Sequence, residues 1–251
     1  MRVEYQISEH ESTSQSSLGV FQYPAVSSDS GLHVADRLAE TRRRIDSLSY
    51  STGKRALDVF LVVLATPLLL PIVLFLSLAV AFTSPGPIFF SHRRICRDGR
   101  FFSMWKFRTM CANSAEVLDR YLAEHPEARR EWMSSHKLRH DPRVTPLGRF
   151  LRKYSLDELP QIWNVLGGEM SLVGPRPIVA AEAEKYGERF DCYTSVKPGL
   201  TGLWQVSGRS STTYAERVAL DCAYVHAWSM AMDVKILCRT LQCVVTTDGA
   251  F

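Results

Sequence analysis

The sequence predicts an α+β protein that is mainly α-helical and attached to a membrane. An apolar segment contains two prolines in its middle, a hairpin signal separates two short β-strand patterns, and later segments place apolar residues at helical spacing beside basic ones. We therefore expect a re-entrant membrane segment of the form helix, break, helix. Interfacial amphipathic helices and a small cytoplasmic domain with a short β-hairpin complete the predicted fold.

Length and composition exclude several classes of protein. The 251 residues are 46% apolar and 22% charged, which is typical of a globular domain and of neither a disordered chain nor a many-pass membrane protein. A net charge of +4 is too small to indicate nucleic-acid binding, so no nucleic-acid partner is expected. The six cysteines include no CxxC pair, and we expect reduced thiols in a protein that faces the cytosol.

The chain divides near residue 50. Residues 1–50 are rich in Ser, Thr, Glu and Gln and are predicted to form a disordered polar tail. They contain no apolar run of the kind found in a signal peptide, so none is expected. Residues 51–251 are predicted to form one membrane-associated domain.

The hydrophobic segment covers residues 56–82 and carries no charge after Asp58. At ~1.5 Å per residue, this length could cross a ~30 Å hydrocarbon core as a plain transmembrane helix. Pro67 and Pro71 weaken that interpretation, because each removes a backbone donor from the helix. The Thr66 hydroxyl is expected to bond a freed carbonyl, so we predict that the segment breaks at Thr66-Pro67.

Basic residues flank the hydrophobic segment on both sides. They are Arg42, Arg43, Arg44, Lys54 and Arg55 before it, and Arg93, Arg94, Arg97 and Arg100 after it. Positive charge favours the cytoplasmic side of a membrane. A segment that enters, breaks and leaves on the same side accounts for both flanks, and a crossing helix remains the alternative.

A β-hairpin is predicted after the hydrophobic segment. Residues 88–90 and 101–107 have short apolar strand patterns on either side of Asp98-Gly99. This dipeptide favours the tight turn that joins antiparallel strands.

The rest of the domain is predicted to be largely helical. Residues 113–139 have a polar surface pattern interrupted at Pro126, and Pro146 opens a helix whose apolar stripe lies beside basic residues. That basic face suits an anionic membrane surface, but docking on the domain's own core explains it equally well. Residues 214–245 are predicted to form one or two further helices.

An adjacent acidic pair, Asp157-Glu158, is the centre of the densest charged cluster. One interpretation is structural: Ser155 and Glu158 have capping-box spacing, or Asp157 is itself the N-cap of a helix that begins near Pro160. The other is functional and requires an anion nearby.

Anion-binding groups stand in several Gly/Pro-bounded or apolar segments. The candidates are Lys106, Arg108, Arg152, Arg176 and Arg209. Arginine binds phosphate oxygens bidentately, so several gathered around one carboxylate could hold a diphosphate against it. No GxxxxGK[ST], GxGxxG, HExxH or GxSxG motif occurs.

Several blocks in fixed order resemble one known family. They are Lys54-Arg55 with Asp58, residues 86–90 (GPIFF), 106–110 (KFRTM), 155–161 (SLDELPQ), 170–177 (MSLVGPRP) and 198–209 (PGLTGLWQVSGR). From about Lys54 to its end, the chain resembles the monotopic polyprenyl-phosphate phosphoglycosyl transferases, in their short exopolysaccharide-initiating branch. Thr66-Pro67 replaces the Ser-Pro of many members, and Glu169 replaces a frequent Asp.

The resemblance implies a mechanism and roles for named residues. Asp157 would be the nucleophile that forms a covalent phosphosugar-aspartate, with release of UMP. Mg²⁺ is the implied cofactor, with Glu158 among its ligands. Arg152 and Arg176 would hold phosphates, and the further implied site residues are Lys106, Arg209 and Asp221.

The resemblance also implies partners and a location. The substrates would be a UDP-sugar, with glucose or galactose expected, and polyprenyl (undecaprenyl) phosphate in contact with membrane lipid. The catalytic domain would face the cytoplasm from the bacterial inner membrane, and a homo-oligomer is left open. The alternatives are a membrane-bound nucleotide-sugar or diphosphate hydrolase and a non-enzymatic scaffold.

Overall fold

The computed structural model describes residues 48–135, 137–207 and 212–246, so the predicted tail of residues 1–50 lies almost entirely outside them. Within the described ranges the chain is mainly helical and has two small two-stranded sheets. The prediction of a mainly helical α+β fold with a short antiparallel hairpin is therefore confirmed.

The first element is one long helix, α1 (Leu48–Thr83), which contains the hydrophobic segment. Among the described helices, it alone is long and apolar enough to cross a membrane. Its buried side chains form two groups, which are Lys54, Asp58 and Val62 near the start and Leu76 and Val80 near the end. Residues 63–71 between them contain no buried side chain. Both ends of α1 therefore pack on the folded domain, while its middle does not.

The predicted break at Thr66-Pro67 is not a non-helical stretch in the structure, because α1 continues through Pro67 and Pro71. The Thr66 hydroxyl donates to the Val62 carbonyl at 2.7 Å. In an α-helix, the carbonyl that loses its donor to Pro67 belongs to Val63, so the hydroxyl does not replace the missing bond. The helix-break-helix form is corrected to a single proline-containing helix, and the re-entrant path through a membrane stays a prediction.

The hairpin follows a short loop after α1. Strands β1 (Phe89–Ile95) and β2 (Phe101–Phe107) pair antiparallel, and Phe89 lies opposite Phe107. The turn includes Asp98 and Gly99, with φ values of 60° and 71°. Left-handed conformations suit glycine and are tolerated by Asp, which explains why the Asp-Gly pair marked the turn correctly.

Three helices come next, namely α2 (Ser114–Glu124), α3 (Pro126–Ser135) and α4 (Pro146–Lys153). The first two match the predicted helical stretch with its interruption at Pro126. Helix α4 starts where the Thr145 hydroxyl accepts a hydrogen bond from the Gly148 N–H at 2.9 Å. A Cβ atom at Gly148 would overlap the Thr109 carbonyl, so this glycine lets α4 pack directly on the segment after β2.

A second sheet pairs two very short strands in parallel, β3 (Ser171–Val173) and β4 (Gly199–Thr201). The chain reaches β3 from α4 through a 3₁₀ turn (Leu156–Glu158) and helix α5 (Gln161–Gly167). Cβ atoms at Gly174 or Gly199 would overlap the opposite backbone, so these glycines permit the close approach. The sequence did not predict this sheet, because three-residue strands carry too little periodicity.

The remaining elements are helical. They are α6 (Ala180–Tyr186), a 3₁₀ turn (Gly187–Arg189) and α7 (Phe190–Thr194) before β4, and α8 (Leu203–Ser207), α9 (Tyr214–Ala227) and α10 (Met230–Thr246) after it. The predicted helical region at residues 214–245 is thus two helices, which separate at Trp228-Ser229.

A buried polar network fixes the start of α1 on the domain. Lys54 Nζ donates to Asp233 Oδ2 at 2.6 Å and to the Tyr224 hydroxyl at 3.2 Å. Asp58 Oδ1 accepts from the Ser171 hydroxyl at 3.1 Å. The charges at the beginning of α1 therefore belong to the folded interior and connect this helix to β3, α9 and α10.

Apolar packing fixes the other end of α1 against strand β2 and helix α4. Leu76 packs in one cluster with Phe107 of β2 and Leu151 of α4. Lys106 precedes Phe107 and Arg152 follows Leu151, so this cluster holds two predicted phosphate-binding residues in place.

Candidate active site

The acidic pair lies in a tight turn rather than at the start of an α-helix. Asp157 and Glu158 belong to the 3₁₀ turn, and Ser155 before it has φ 54°, which is uncommon for a residue other than glycine. Ser155 makes no side-chain capping bond, and α5 begins only after Pro160. Both capping interpretations are therefore wrong. Backbone strain of this kind is concentrated at functional sites.

Two cations from distant segments contact the pair. Lys106 Nζ lies 2.7 Å from Glu158 Oε1 and 3.6 Å from Asp157 Oδ2. Arg176, in the loop between β3 and α6, donates from Nη2 to the same Glu158 oxygen at 3.1 Å. Tertiary structure thus brings together four of the predicted site residues.

The two carboxylates differ in acidity. Burial would raise the pKa of Glu158, but Arg176 and Lys106 outweigh burial and lower this pKa to about 2. For Asp157, which is 8% exposed, burial dominates and raises the pKa, although Lys106 opposes the shift. Glu158 is therefore ionised at neutral pH. Among the residues that the structure describes, Asp157 accepts no hydrogen bond, and its Oδ2 is approached by Lys106 Nζ at 3.6 Å.

Arg152 and Arg108 are placed differently with respect to the acidic pair. Arg152 Nε donates to the Thr109 hydroxyl at 2.9 Å. Helix α4, which carries Arg152, packs against the turn that contains Asp157, and the charge of Arg152 opposes the rise that burial causes in the pKa of Asp157. Arg108 instead donates to the Ser84 carbonyl at 2.5 Å. The structure therefore brings Arg152 toward the pair but assigns Arg108 to the loop after α1.

Asp221 is not among the residues that contact the pair, and the structure does not describe Arg209. Asp221 of α9 is 2% exposed and accepts a hydrogen bond from the Tyr186 hydroxyl at 2.8 Å. Burial raises the pKa of Asp221 to about 7. Arg209 lies outside the described residues. Substrate-binding roles for both stay predictions.

The cleft beside the pair includes two residues that the sequence analysis did not assign to the site. Arg94 and Gln161 line it together with Glu158 and Arg176. Arg94 stands opposite the buried Phe102 in the hairpin, so it lies on the inward face of its strand. An arginine at an inward position of an alternating strand is a signal that could have identified it. Gln161 has no such signal, because a polar residue at the start of a helix is ordinary.

The acidic pair has the ligand chemistry that magnesium needs. Mg²⁺ prefers oxygen ligands and is commonly held by one or two carboxylates together with substrate phosphates. Lys106 and Arg176 both contact Oε1 of Glu158, so Oε2 and the Asp157 carboxylate remain as candidate ligands. The described part of the chain contains no group of three or more His, Cys, Asp or Glu that could hold a metal ion. Water and substrate phosphate oxygens would complete the coordination.

Comparison with known proteins accounts for this arrangement of acidic and basic groups. A family model described as bacterial sugar transferase matches residues 49–247, a range that includes the acidic pair and every cation around it. The chain belongs to the bacterial sugar transferase family. This confirms the family resemblance found in the sequence motifs.

Several curated relatives of this sugar transferase have descriptive names. The chain is 49% identical to a UDP-galactose-lipid carrier transferase of Erwinia amylovora and 47% identical to an undecaprenyl-phosphate galactose phosphotransferase of Salmonella typhimurium. Each alignment covers 79% of this chain and 41% of the relative. The exopolysaccharide production protein ExoY of Sinorhizobium fredii is 46% identical, over 79% of this chain and 88% of that protein. The chain thus spans less than half the length of the first two relatives and most of the third.

Proposed function

We propose that this sugar transferase moves a hexose 1-phosphate from a UDP-sugar to undecaprenyl phosphate and so initiates exopolysaccharide synthesis. The observation that carries this proposal is a buried carboxylate, Asp157, which accepts no hydrogen bond from the described residues and lies beside cations suited to phosphate. The names of the relatives support the substrate classes, since they include UDP-galactose and UDP-glucose donors and an undecaprenyl phosphate acceptor. Galactose or glucose is therefore the expected sugar.

The first step would form a covalent intermediate on Asp157. A carboxylate oxygen attacks the phosphorus that bears the sugar, and a new bond between oxygen and phosphorus forms. The bond from that phosphorus to the bridging oxygen of the diphosphate breaks, and its electron pair leaves on UMP. The phosphosugar group is then held on the Asp157 side chain.

The second step would regenerate the carboxylate. A phosphate oxygen of undecaprenyl phosphate attacks the same phosphorus, and the bond to Asp157 breaks with its electron pair returning to the carboxylate. The product is undecaprenyl diphosphate sugar. Dividing the transfer in this way replaces one encounter between two phosphates with two displacements at one protein group.

Neutralisation of charge makes both steps feasible. Anionic substrates must approach Asp157, so Lys106, Arg152 and Arg176 are needed to offset repulsion as charge develops in the transition state. A magnesium ion held at Glu158 would supply further neutralisation of phosphate oxygens. The low pKa of Glu158 supports this role. Arg176 and Lys106 lower this pKa by more than burial raises it, so the carboxylate stays ionised.

The hydrophobic helix would bring the lipid substrate to the site. Both ends of α1 pack on the same folded domain, which supports a path that leaves the membrane on the side where it enters. Exposed apolar side chains in its middle, Val63, Leu64, Leu68 and Leu70, would then lie among the lipid tails. The expected location is the bacterial inner membrane, with the domain facing the cytoplasm.

The test is an assay with labelled UDP-sugars and undecaprenyl phosphate in detergent or nanodiscs. A transferase should release UMP in proportion to lipid-linked sugar, whereas a hydrolase should release it without lipid and a scaffold should release none. Trapping with a donor labelled in the sugar-bearing phosphate, followed by proteolysis, should place the label on the peptide that contains Asp157. Label that never appears on this peptide would exclude the covalent mechanism.

A further inference from the structure

A second cationic cluster lies next to the acidic pair and has no part in the mechanism described above. Arg94 Nη1 lies 3.7 Å from Glu182 Oε2, and Arg217 Nη1 lies 3.7 Å from Glu182 Oε1. Glu182 Oε2 also accepts a hydrogen bond from the Val179 N–H at 3.1 Å, which fixes the carboxylate at the start of α6. One well-anchored carboxylate is thus shared by two guanidinium groups.

This cluster is continuous with the acidic pair. Arg94 lines the same cleft as Glu158 and Arg176, and it donates from Nη1 to the Pro177 carbonyl at 3.3 Å. Burial lowers the pKa of Arg94, and the charge of Arg176 lowers it further, as expected for two close guanidinium groups. Arg94 therefore connects the cleft that Glu158 and Arg176 line to Glu182 and Arg217.

This part of the molecule contains donors with no acceptor. Arg94 Nε, Arg217 Nε, Arg217 Nη2 and Gln161 Nε2 are enclosed and have no hydrogen-bond partner in the part of the chain that the structure describes. Leaving a buried donor unpaired costs about 1–3 kcal/mol, so native proteins rarely do it. Several such donors in one cluster indicate that an anion is the missing partner.

The surroundings of Arg217 indicate which anion this is. Arg217 Cζ lies 5.0 Å from the centroid of the Trp204 ring and 5.2 Å from that of Tyr214. The Trp204 indole N–H also lacks a partner among the described residues. Aromatic rings beside an arginine are the groups that stack and hold bases and nucleotides, whereas an isoprenoid phosphate needs no aromatic partner.

We infer that Arg94 and Arg217 bind the phosphate group that stays attached to the nucleoside when the nucleotide leaves. Arg176 then contacts the diphosphate between this subsite and Asp157. Negative charge that develops on the leaving oxygen is stabilised by these guanidinium groups. The identity of the nucleotide rests on the proposed function, but the phosphate-binding role rests on the unpaired donors.

The test measures binding without turnover. Full-length Asp157→Asn protein in detergent with Mg²⁺ is titrated calorimetrically with UMP and, separately, with uridine. Adding Arg217→Gln is expected to weaken UMP binding about 10- to 100-fold, the range for charge-assisted hydrogen bonds, while uridine affinity stays unchanged. Arg217→Lys keeps the positive charge but loses the planar guanidinium donors that bind phosphate bidentately. It should therefore reduce UMP affinity by a smaller factor than Arg217→Gln. Arg120→Gln, on the exposed surface of α2, is the matched control.

Three results would overturn the inference. The first is an unchanged affinity for UMP in both Arg217 variants and in Arg94→Lys. The second is an equal loss of UMP and uridine affinity, which would assign the cluster a structural role. The third is weaker binding to vesicles containing undecaprenyl phosphate with UMP binding intact, which would assign the subsite to the acceptor. Absence of lipid-linked product from the unaltered protein, with UMP affinity still dependent on Arg217, would refute the proposed function and leave the nucleotide subsite standing.

Discussion

Lys106 Nζ lies 2.7 Å from Glu158 Oε1, a contact that joins the second strand of the hairpin to the acidic turn. The same ammonium lies 3.6 Å from Asp157 Oδ2. One lysine therefore favours the ionised form of both adjacent carboxylates, which would otherwise repel each other. The acidic pair depends on this lysine for its charge state as well as for its position.

Replacing this lysine should change the pH dependence of the reaction. Burial raises the pKa of Asp157 and Lys106 opposes that rise, so Lys106→Met should raise the pKa further. In the proposed mechanism the ionised carboxylate attacks, so the acidic limb of kcat/KM against pH should move to higher pH. Lys235→Met, at an exposed position of α10, should leave the limb in place. A limb that does not move in Lys106→Met would show that Asp157 ionisation does not control the rate.

Replacement of the proposed nucleophile, Asp157, should abolish turnover without unfolding the protein. Asp157→Asn is expected to lower kcat by at least about 10³-fold, because a carboxamide cannot form the acyl phosphate. Membrane association and melting temperature should be retained, since the substitution removes a buried charge. Asp191→Asn, exposed on α7, should keep full activity. More than a trace of lipid-linked product from Asp157→Asn would remove Asp157 from the role of nucleophile.

The network at the start of α1 should be important for stability. Lys54 is 6% exposed and Asp233 is 1% exposed, so Lys54→Met leaves a buried carboxylate without its cation. Removal of one partner of such a pair costs roughly 3–5 kcal/mol. The melting temperature, measured by scanning fluorimetry in detergent, should fall markedly, while Lys235→Met should leave it unchanged. The double variant Lys54→Met/Asp233→Leu should recover part of the loss, and an equal or larger fall would contradict this account.

The pKa of Asp221 makes a prediction about stability. Burial raises this pKa from 3.8 to about 7, so between these values the folded protein binds a proton that the unfolded chain does not. Stability contributed by this group is therefore lost as the pH rises through that range. Asp221→Asn keeps an acceptor for Tyr186 but cannot ionise. The melting temperature of Asp221→Asn minus that of the unaltered protein should increase from pH 5 to pH 8. A difference that stays constant over this range would contradict the prediction.

The path of α1 predicts a one-sided topology. Both ends of this helix pack on one folded domain, so reporter tags inserted at residue 50 and at the C-terminus should both lie in the cytoplasm. Cysteine-labelling from outside spheroplasts should modify neither tag until the membrane is permeabilised. Tags found on opposite faces would show that α1 crosses the membrane.

The sequence predicted local features well where a few adjacent residues decide the structure. Asp98-Gly99 marked the hairpin turn, Pro126 the boundary between two helices, and Pro146 the start of α4. It failed where distant segments compete with a local preference. Ser155 and Glu158 have the spacing of a capping box, but the turn is instead held by Lys106 from another strand.

For the site as a whole, the sequence by itself determined the membership in a family, the apolar segment and the chemical types of the acidic and basic residues. These features can be recognised from contiguous motifs and from composition. Only the tertiary structure decided which cations meet the acidic pair, because contacts such as Arg176 with Glu158 join separate segments. It also separated Arg108 from the pair and introduced Arg94 and Gln161. The physical reason is that a side chain's burial and its charged neighbours are fixed by packing between elements, which no local pattern specifies.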